Sequence, residues 1–219
     1  RVLFRSSSIN SYLMKEDILE QLIDGYFLRK PSTFTKHNIR YRPDLNFINK
    51  EDKNKYSVHS DIDIISINTA SKEINVVSCK SWQGGFNIEF YLDQLSNSKN
   101  HMNTHSGRAV WKSFREITNP IWAKAFRDKI YEETNSKKFN YYIAVTKLIH
   151  QELKDEFCKC DKFLKLLSND GEFDVKIDFL TFEEIFKEIQ NSEMSTTVES
   201  TEIGRILQLF KSAGLKIAH

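Results

Sequence analysis

Asp61-Ile62-Asp63-Ile64-Ile65-Ser66-Ile67 and Glu73-Ile74-Asn75-Val76-Val77-Ser78-Cys79-Lys80 are two short runs of branched apolar residues, separated by the small polar tract Thr69-Ala70-Ser71-Lys72. That pattern predicts the two strands of a hairpin. Pairing residues whose numbers sum to 141 sets Ile67 opposite Ile74, Ile65 opposite Val76, Asp63 opposite Ser78 and Asp61 opposite Lys80. Side chains alternate faces along a strand, so this register puts all eight on one face of the sheet. A shift of one residue would move every apolar side chain to the wrong face. The expected face is apolar near the turn and ionic at the open end.

Carboxylates at i and i+2 of a strand start about 7 Å apart. At an effective dielectric near 20 they repel by roughly 2–3 kcal/mol. A divalent cation between them would reverse that sign, because hard cations take oxygen ligands. Lys80 beside them would offset charge on a substrate or hold an attacking water. The same pattern also describes acids that begin a strand in solvent and a lysine that ends one.

Ser60-Asp61-Ile62-Asp63 on one strand, followed by Val76-Val77-Ser78-Cys79-Lys80-Ser81-Trp82 on the next, resembles the core of the PD-(D/E)xK nuclease superfamily. In that family an Asp opens one strand and an acid-x-Lys motif ends the next. Asp63 precedes Lys80 by seventeen positions, which fits, with Asp61 as its helper. The resemblance covers roughly Glu16 to Thr146, and its specific part is about twenty residues. The position of the second acid is Ser78, a departure from the family pattern. Ser-x-Lys members of the superfamily supply the missing carboxylate from the following helix, a role open here to Glu89 and Asp93, or to Glu16 or Glu20 of the first helix. Otherwise Ser78 replaces an acid by deliberate substitution, or the site is degenerate.

The resemblance implies a Mg²⁺-dependent endonuclease on DNA, similar to type II restriction enzymes, with Mn²⁺ able to substitute. Asp61, Asp63, Ser78 and Lys80 would be catalytic; Asp61, Asp63, Glu89 and the carbonyl of Cys79 would hold the metal. A homodimer is expected at the family level only. The alternative is a DNA-binding protein with an inactive site, which Ser78 motivates.

At 219 residues the chain suits one sizeable core rather than two domains. Its 40% hydrophobic and 28% charged content is that of a soluble globular protein. No apolar run approaches the length needed to span a bilayer. Arg1 to Ser8 lacks the apolar stretch of a signal peptide, and the missing initial Met suggests a start inside a longer reading frame. The three cysteines, Cys79, Cys158 and Cys160, lack framework or zinc spacing, so a reducing cytoplasm is expected.

The net charge of +2 conceals an asymmetry. Residues 27–60 carry eight Lys/Arg against three acids and residues 99–138 nine against four, whereas residues 148–219 carry nine against fourteen. Two basic regions flanking the carboxylate hairpin suit a polyanion approaching one face, though a solvated lysine-rich surface has the same composition. Arg40, Arg42, Arg108, Lys112 and Arg115 are the candidate DNA contacts; His37 has two readings, a further phosphate contact or a residue that edges the sheet.

The remaining pattern predicts a helix over 11–27 stopped by Gly25, a strand over 34–42, a loop over 44–56 and a helix over 86–96 with Ile88, Leu92 and Leu95 inward. Beyond it come one or two helices over 108–131 broken at Asn119-Pro120, a buried strand over 139–146, a helix over 148–167 and a strand over 174–180. Thr181 then caps a helix. A polar linker over 192–200 leads to a short helix over 201–214. Ser81-Trp82-Gln83-Gly84-Gly85 permits a sharp turn or a close backbone approach, and no nucleotide-cofactor loop accompanies it. The expected fold is α/β: one domain over 1–219, with a core at about 11–190, a mixed β-sheet flanked by helices and a restriction-endonuclease-like centre.

Overall fold

A computed structural model describes residues 18–82, 84–97, 104–105 and 108–191, together with Arg205, Leu209 and Ala213. Its centre is a five-stranded mixed sheet, ordered β1-β2-β3-β7-β9. β1 (Thr33–Tyr41), β2 (Ser60–Asn68) and β3 (Glu73–Lys80) form an antiparallel meander. β7 (Lys138–Val145) runs parallel to β3, and β9 (Asp174–Thr181) parallel to β7. The expected hairpin register holds from Ile64–Val77 to Asn68–Glu73.

Parallel pairing of β3 with β7 needs a long crossover. It contains β4 (Phe86–Asn87), α3 (Ile88–Ser96), β5 (Thr104–His105), β6 (Arg108–Ala109), a 3-10 turn at Val110–Ser113, α4 (Arg115–Thr118) and α5 (Pro120–Thr134). The break at Asn119-Pro120 occurs as expected. Asn119 accepts from the amides of Ile121 and Trp122 at 3.0 and 3.3 Å, and Pro120 occupies the first turn of α5, where its missing N–H costs nothing.

Helices cover both faces of the sheet. On one face α1 (Ile18–Leu28) and α8 (Phe182–Asn191) pack over Ile64, Val77, Ala144 and Leu180. On the other, α3 to α5, α6 (Lys154–Cys158) and α7 (Asp161–Ser168) bury a larger aromatic core around Phe86, Phe114, Trp122, Phe157 and Phe179. The chain is therefore a mixed α/β domain. No helix among the described residues is long and apolar enough to cross a membrane.

Several expected boundaries differ. Gly25 is buried inside α1 and does not stop it, and residues 11–17 lie outside the described part. The segment 44–56 holds a 3-10 turn, Leu45–Phe47, and α2 (Lys53–Tyr56), because Asp44 caps the turn through the Asn46 amide at 2.9 Å. Residues 148–167 divide into β8 (Leu148–Ile149), a 3-10 turn, α6 and α7, since His150 and Cys160 leave helical geometry. The capping box is present: the Thr181 amide donates to Glu184 at 2.9 Å, and the Glu184 amide to Thr181 Oγ1 at 3.2 Å. The helix expected over 201–214 falls almost wholly outside the described residues.

Candidate active site

The open end of the β2–β3 hairpin departs from regular alternation. The ladder between β1 and β2 omits the opposed residues Asn38 and Asp63, and Asn38 has φ of 50°, a region asparagine tolerates better than most residues. Ile62 and Ile65 pack in the same aromatic core, although three positions apart. Tyr41, Ser60's partner in the ladder, faces that core too, through Trp122 at 5.9 Å. Alternation therefore slips by one residue at Asp63. Cys79 shows the same slip from the other strand, since it packs with Val77 against the α1–α8 layer rather than on the face of Ile62.

This slip corrects the expectation that Asp61 and Asp63 share a face. Asp61, between Ser60 and Ile62, turns away from the aromatic core. Its carboxylate is half-exposed, 3.9 Å from Arg40 on the neighbouring strand. Asp63 instead turns inward, and its Oδ2 accepts the Cys79 amide at 2.5 Å. That bond orients the carboxylate where the ladder of backbone bonds has ended.

Lys80 closes the notch. Its Nζ donates to Ser78 Oγ at 2.8 Å and lies 5.4 Å from the centre of the Phe114 ring. The Ser78 hydroxyl lies close enough to the Tyr141 hydroxyl to favour its ionised form, and Tyr141 donates in turn to Glu116 Oε1. A chain of polar contacts thus runs from the Lys80 ammonium through Ser78 and Tyr141 to a carboxyl group. Glu116 is only 5% exposed. Burial pushes its pKa above the ordinary carboxylate range; the Lys80 ammonium and the Tyr141 hydroxyl oppose this, and the Asp63 charge reinforces it. Glu116 therefore lies within electrostatic reach of both Lys80 and Asp63.

Local structure fixes Glu116 in place. It sits on the one-turn helix α4, tied by a 2.7 Å bond from Thr118 Oγ1 to the Phe114 carbonyl. Arg115 beside it lies 4.6 Å over the Trp122 ring. After Lys80 the chain is pinned as well. Thr146 Oγ1 donates to the Trp82 carbonyl at 2.6 Å, and the Phe86 amide to the Lys147 carbonyl at 2.8 Å. Gly85 makes the close approach expected of the glycine pair: its φ is +85°, and a Cβ there would come 2.6 Å from Lys147 Cγ.

The other sequence-derived candidates are placed elsewhere. Glu89 is exposed on α3 and pairs with His150 at 3.5 Å, because the first turn of α3 points it toward the start of the β8 loop rather than the notch. Asp93, also exposed, accepts from Gln94 at 2.9 Å. Glu20 stands on α1, across the sheet from Asp63, and Glu16 lies outside the described residues. Arg40, Arg42 and Lys112 are exposed, as a phosphate contact requires. Arg115 is 8% exposed and packs inward, so it is no surface grip; the aromatic layer it stacks on draws its side chain in. The side chain of Arg108 is outside the described part. His37 bonds Asp24 of α1 at 2.9 Å, tying helix to sheet.

Glu116 is the site residue that the sequence reading missed. The signal was present but weak, a lone acid within the apolar and aromatic run Trp111 to Trp122.

Among the described residues no group of three His, Cys, Asp or Glu side chains is placed to hold a metal ion. The donor set is sparser: the Asp63 and Glu116 carboxylates beside the Ser78 hydroxyl. That set fits Mg²⁺, which keeps several waters and needs only one or two protein carboxylates, and it does not fit a fully caged ion.

No family model matches the chain, and no curated protein matches it. It is similar to a solved structure titled "Crystal Structure of Protein of Unknown Function AF1548", at 11% identity and a TM-score of 0.35, covering 91% of this chain and 79% of that one. A likeness of that size carries no argument about activity.

Proposed function

We propose that this chain is a Mg²⁺-dependent phosphodiesterase that cleaves DNA, a nuclease of the restriction-endonuclease-like kind. The observation that carries the reading is the buried Glu116, bonded by Tyr141 and within electrostatic reach of both Lys80 and Asp63 at the open end of the hairpin. Folding alone gives no reason to sink a carboxyl group beside another acid, since an uncompensated buried charge is costly. Asp63 and Glu116 would hold the cation, with Glu116 taking the part of the acid that Ser78 lacks. When bound, the ion would polarise the scissile phosphate and lower the pKa of an attacking water.

The protein's own groups have separable tasks. Asp63 is aimed by the Cys79 amide. Lys80 is held by Ser78 and offsets negative charge gathering on the phosphoryl oxygens. Tyr141 keeps Glu116 hydrogen-bonded whether the carboxyl is charged or neutral. Arg40 and Arg42 on the exposed edge of the sheet attract the polyanion. The three thiols, Cys79, Cys158 and Cys160, are free, which suits a reducing cytoplasm.

Ser78 and the lack of a three-residue metal group among the described residues favour a second reading, a DNA-binding protein without catalysis. Calorimetric titration with Mg²⁺ and Mn²⁺ separates the two. The nuclease reading expects saturable ion uptake that Asp63→Asn and Glu116→Gln each abolish. DNA binding with no ion uptake by the wild-type chain favours the second.

A further inference from the structure

A groove of about 630 Å³ runs between the end of β1, the turn at Leu45–Phe47 and the start of α5. Tyr41 forms part of its wall and also packs on Trp122 in the core beneath α4 and α5, so the groove and the candidate site share that layer. Phe47 stands at its mouth, 89% exposed, and Ile121 opposite is 39% exposed. An aromatic ring left in solvent at the rim of a groove gives nothing to the fold.

The charge of the rim narrows the occupant. Lys124 and Lys129 of α5 are engaged by Asp128 at 2.5 Å and Glu132 at 3.0 Å, and Asp44 caps its own turn. Arg40, only loosely paired with Asp61 at 3.9 Å, and Arg42 are the cations of the β1 side, both exposed. An apolar ring and two guanidinium groups across a trough of nucleotide size match a base face and its flanking phosphates. A regular duplex cannot offer a base face to Phe47, because its bases are stacked within the helix.

We propose that this groove binds an unpaired stretch of DNA strand, with a base stacked on Phe47 and the backbone held by Arg40 and Arg42. The inference rests on the nuclease reading for its choice of nucleic acid, and it refines the substrate to DNA with a single-stranded or extrahelical segment next to the cut. Stacking on an aromatic side chain tolerates every base, so the preference is for strand state and not for sequence.

The test is fluorescence anisotropy in EDTA with labelled oligothymidylate and with a duplex of equal length, on the full chain carrying Lys80→Ala so that cleavage cannot interfere. The expected result is tighter binding of the single strand, a loss of about tenfold on adding Phe47→Ala, and near-complete retention with Phe47→Trp. Duplex bound as tightly as the single strand, an acidic peptide competing for the groove, or no effect of Phe47→Ala would overturn it. Plasmid cleavage by the wild-type chain is a separate readout. Phe47-dependent binding without cleavage sinks the catalytic reading alone, and cleavage without Phe47-dependent binding sinks the groove alone.

Discussion

The Tyr141 hydroxyl, on β7 between the parallel strands β3 and β9, donates to the Glu116 carboxyl group on the one-turn helix α4, and both are buried. Each group satisfies the other where water does not reach. Tyr141→Phe therefore leaves a buried carboxyl short of a donor, at a cost of about 1–3 kcal/mol. Equilibrium urea denaturation measures this, and an unchanged midpoint would mean that the pair contributes nothing.

Glu116 should also impose a pH dependence. Its folded pKa is raised above the ordinary value of 4.5, so the native chain binds more protons than the unfolded one in that window. The contribution is fully present below about 4.5 and is lost as pH rises through the folded pKa. Glu116→Gln cannot titrate. Its stability relative to wild type should climb as pH rises from 4.5 toward neutrality, and parallel stability curves for the two proteins would contradict the assignment.

The divergence of Asp61 from Asp63 makes a sharp contrast. Asp63→Asn should reduce cleavage by about 10²-fold or more, as loss of a group aimed at developing charge does. Asp61→Asn alters an exposed side chain beside Arg40 and should stay within about threefold of wild type. Equal losses in the two variants would show that Asp61 reaches the reacting centre.

If Glu116 stands in for the acid missing at Ser78, the two positions should compensate. Glu116→Gln is expected to lose about 10²-fold in cleavage, and adding Ser78→Asp should restore a substantial part. A double variant no better than Glu116→Gln would deny that the two positions serve one ion.

The hairpin was legible because Ile65, Ile67, Ile74 and Val76 recur at every second position and meet in pairs in a single register, which lines them up on one face. The central strand at Phe139–Val145, the stop at Asn119-Pro120 and the Thr181–Glu184 cap were equally local signals. The slip at Asp63 was not legible. It depends on Asn38 of the neighbouring strand adopting a left-handed conformation, a pairing that no spacing within one segment reveals. Nor was Glu116: sequence spacing puts it 53 positions from Asp63, and only the crossover from β3 to β7 brings α4 over the hairpin end. Glu89 was the nearer acid in sequence, and its place on the outer side of α3 follows from which residues, Ile88 and Leu95, that helix buries.

The most direct measurement is conversion of supercoiled plasmid by the wild-type chain and by Lys80→Ala in Mg²⁺ or Mn²⁺, with melting curves recorded for both. The expected result is nicking by the wild type that needs the ion, and a loss of about 10²-fold or more in a variant that melts as the wild type does. No nicking in either ion, or undiminished nicking by Lys80→Ala, would contradict it.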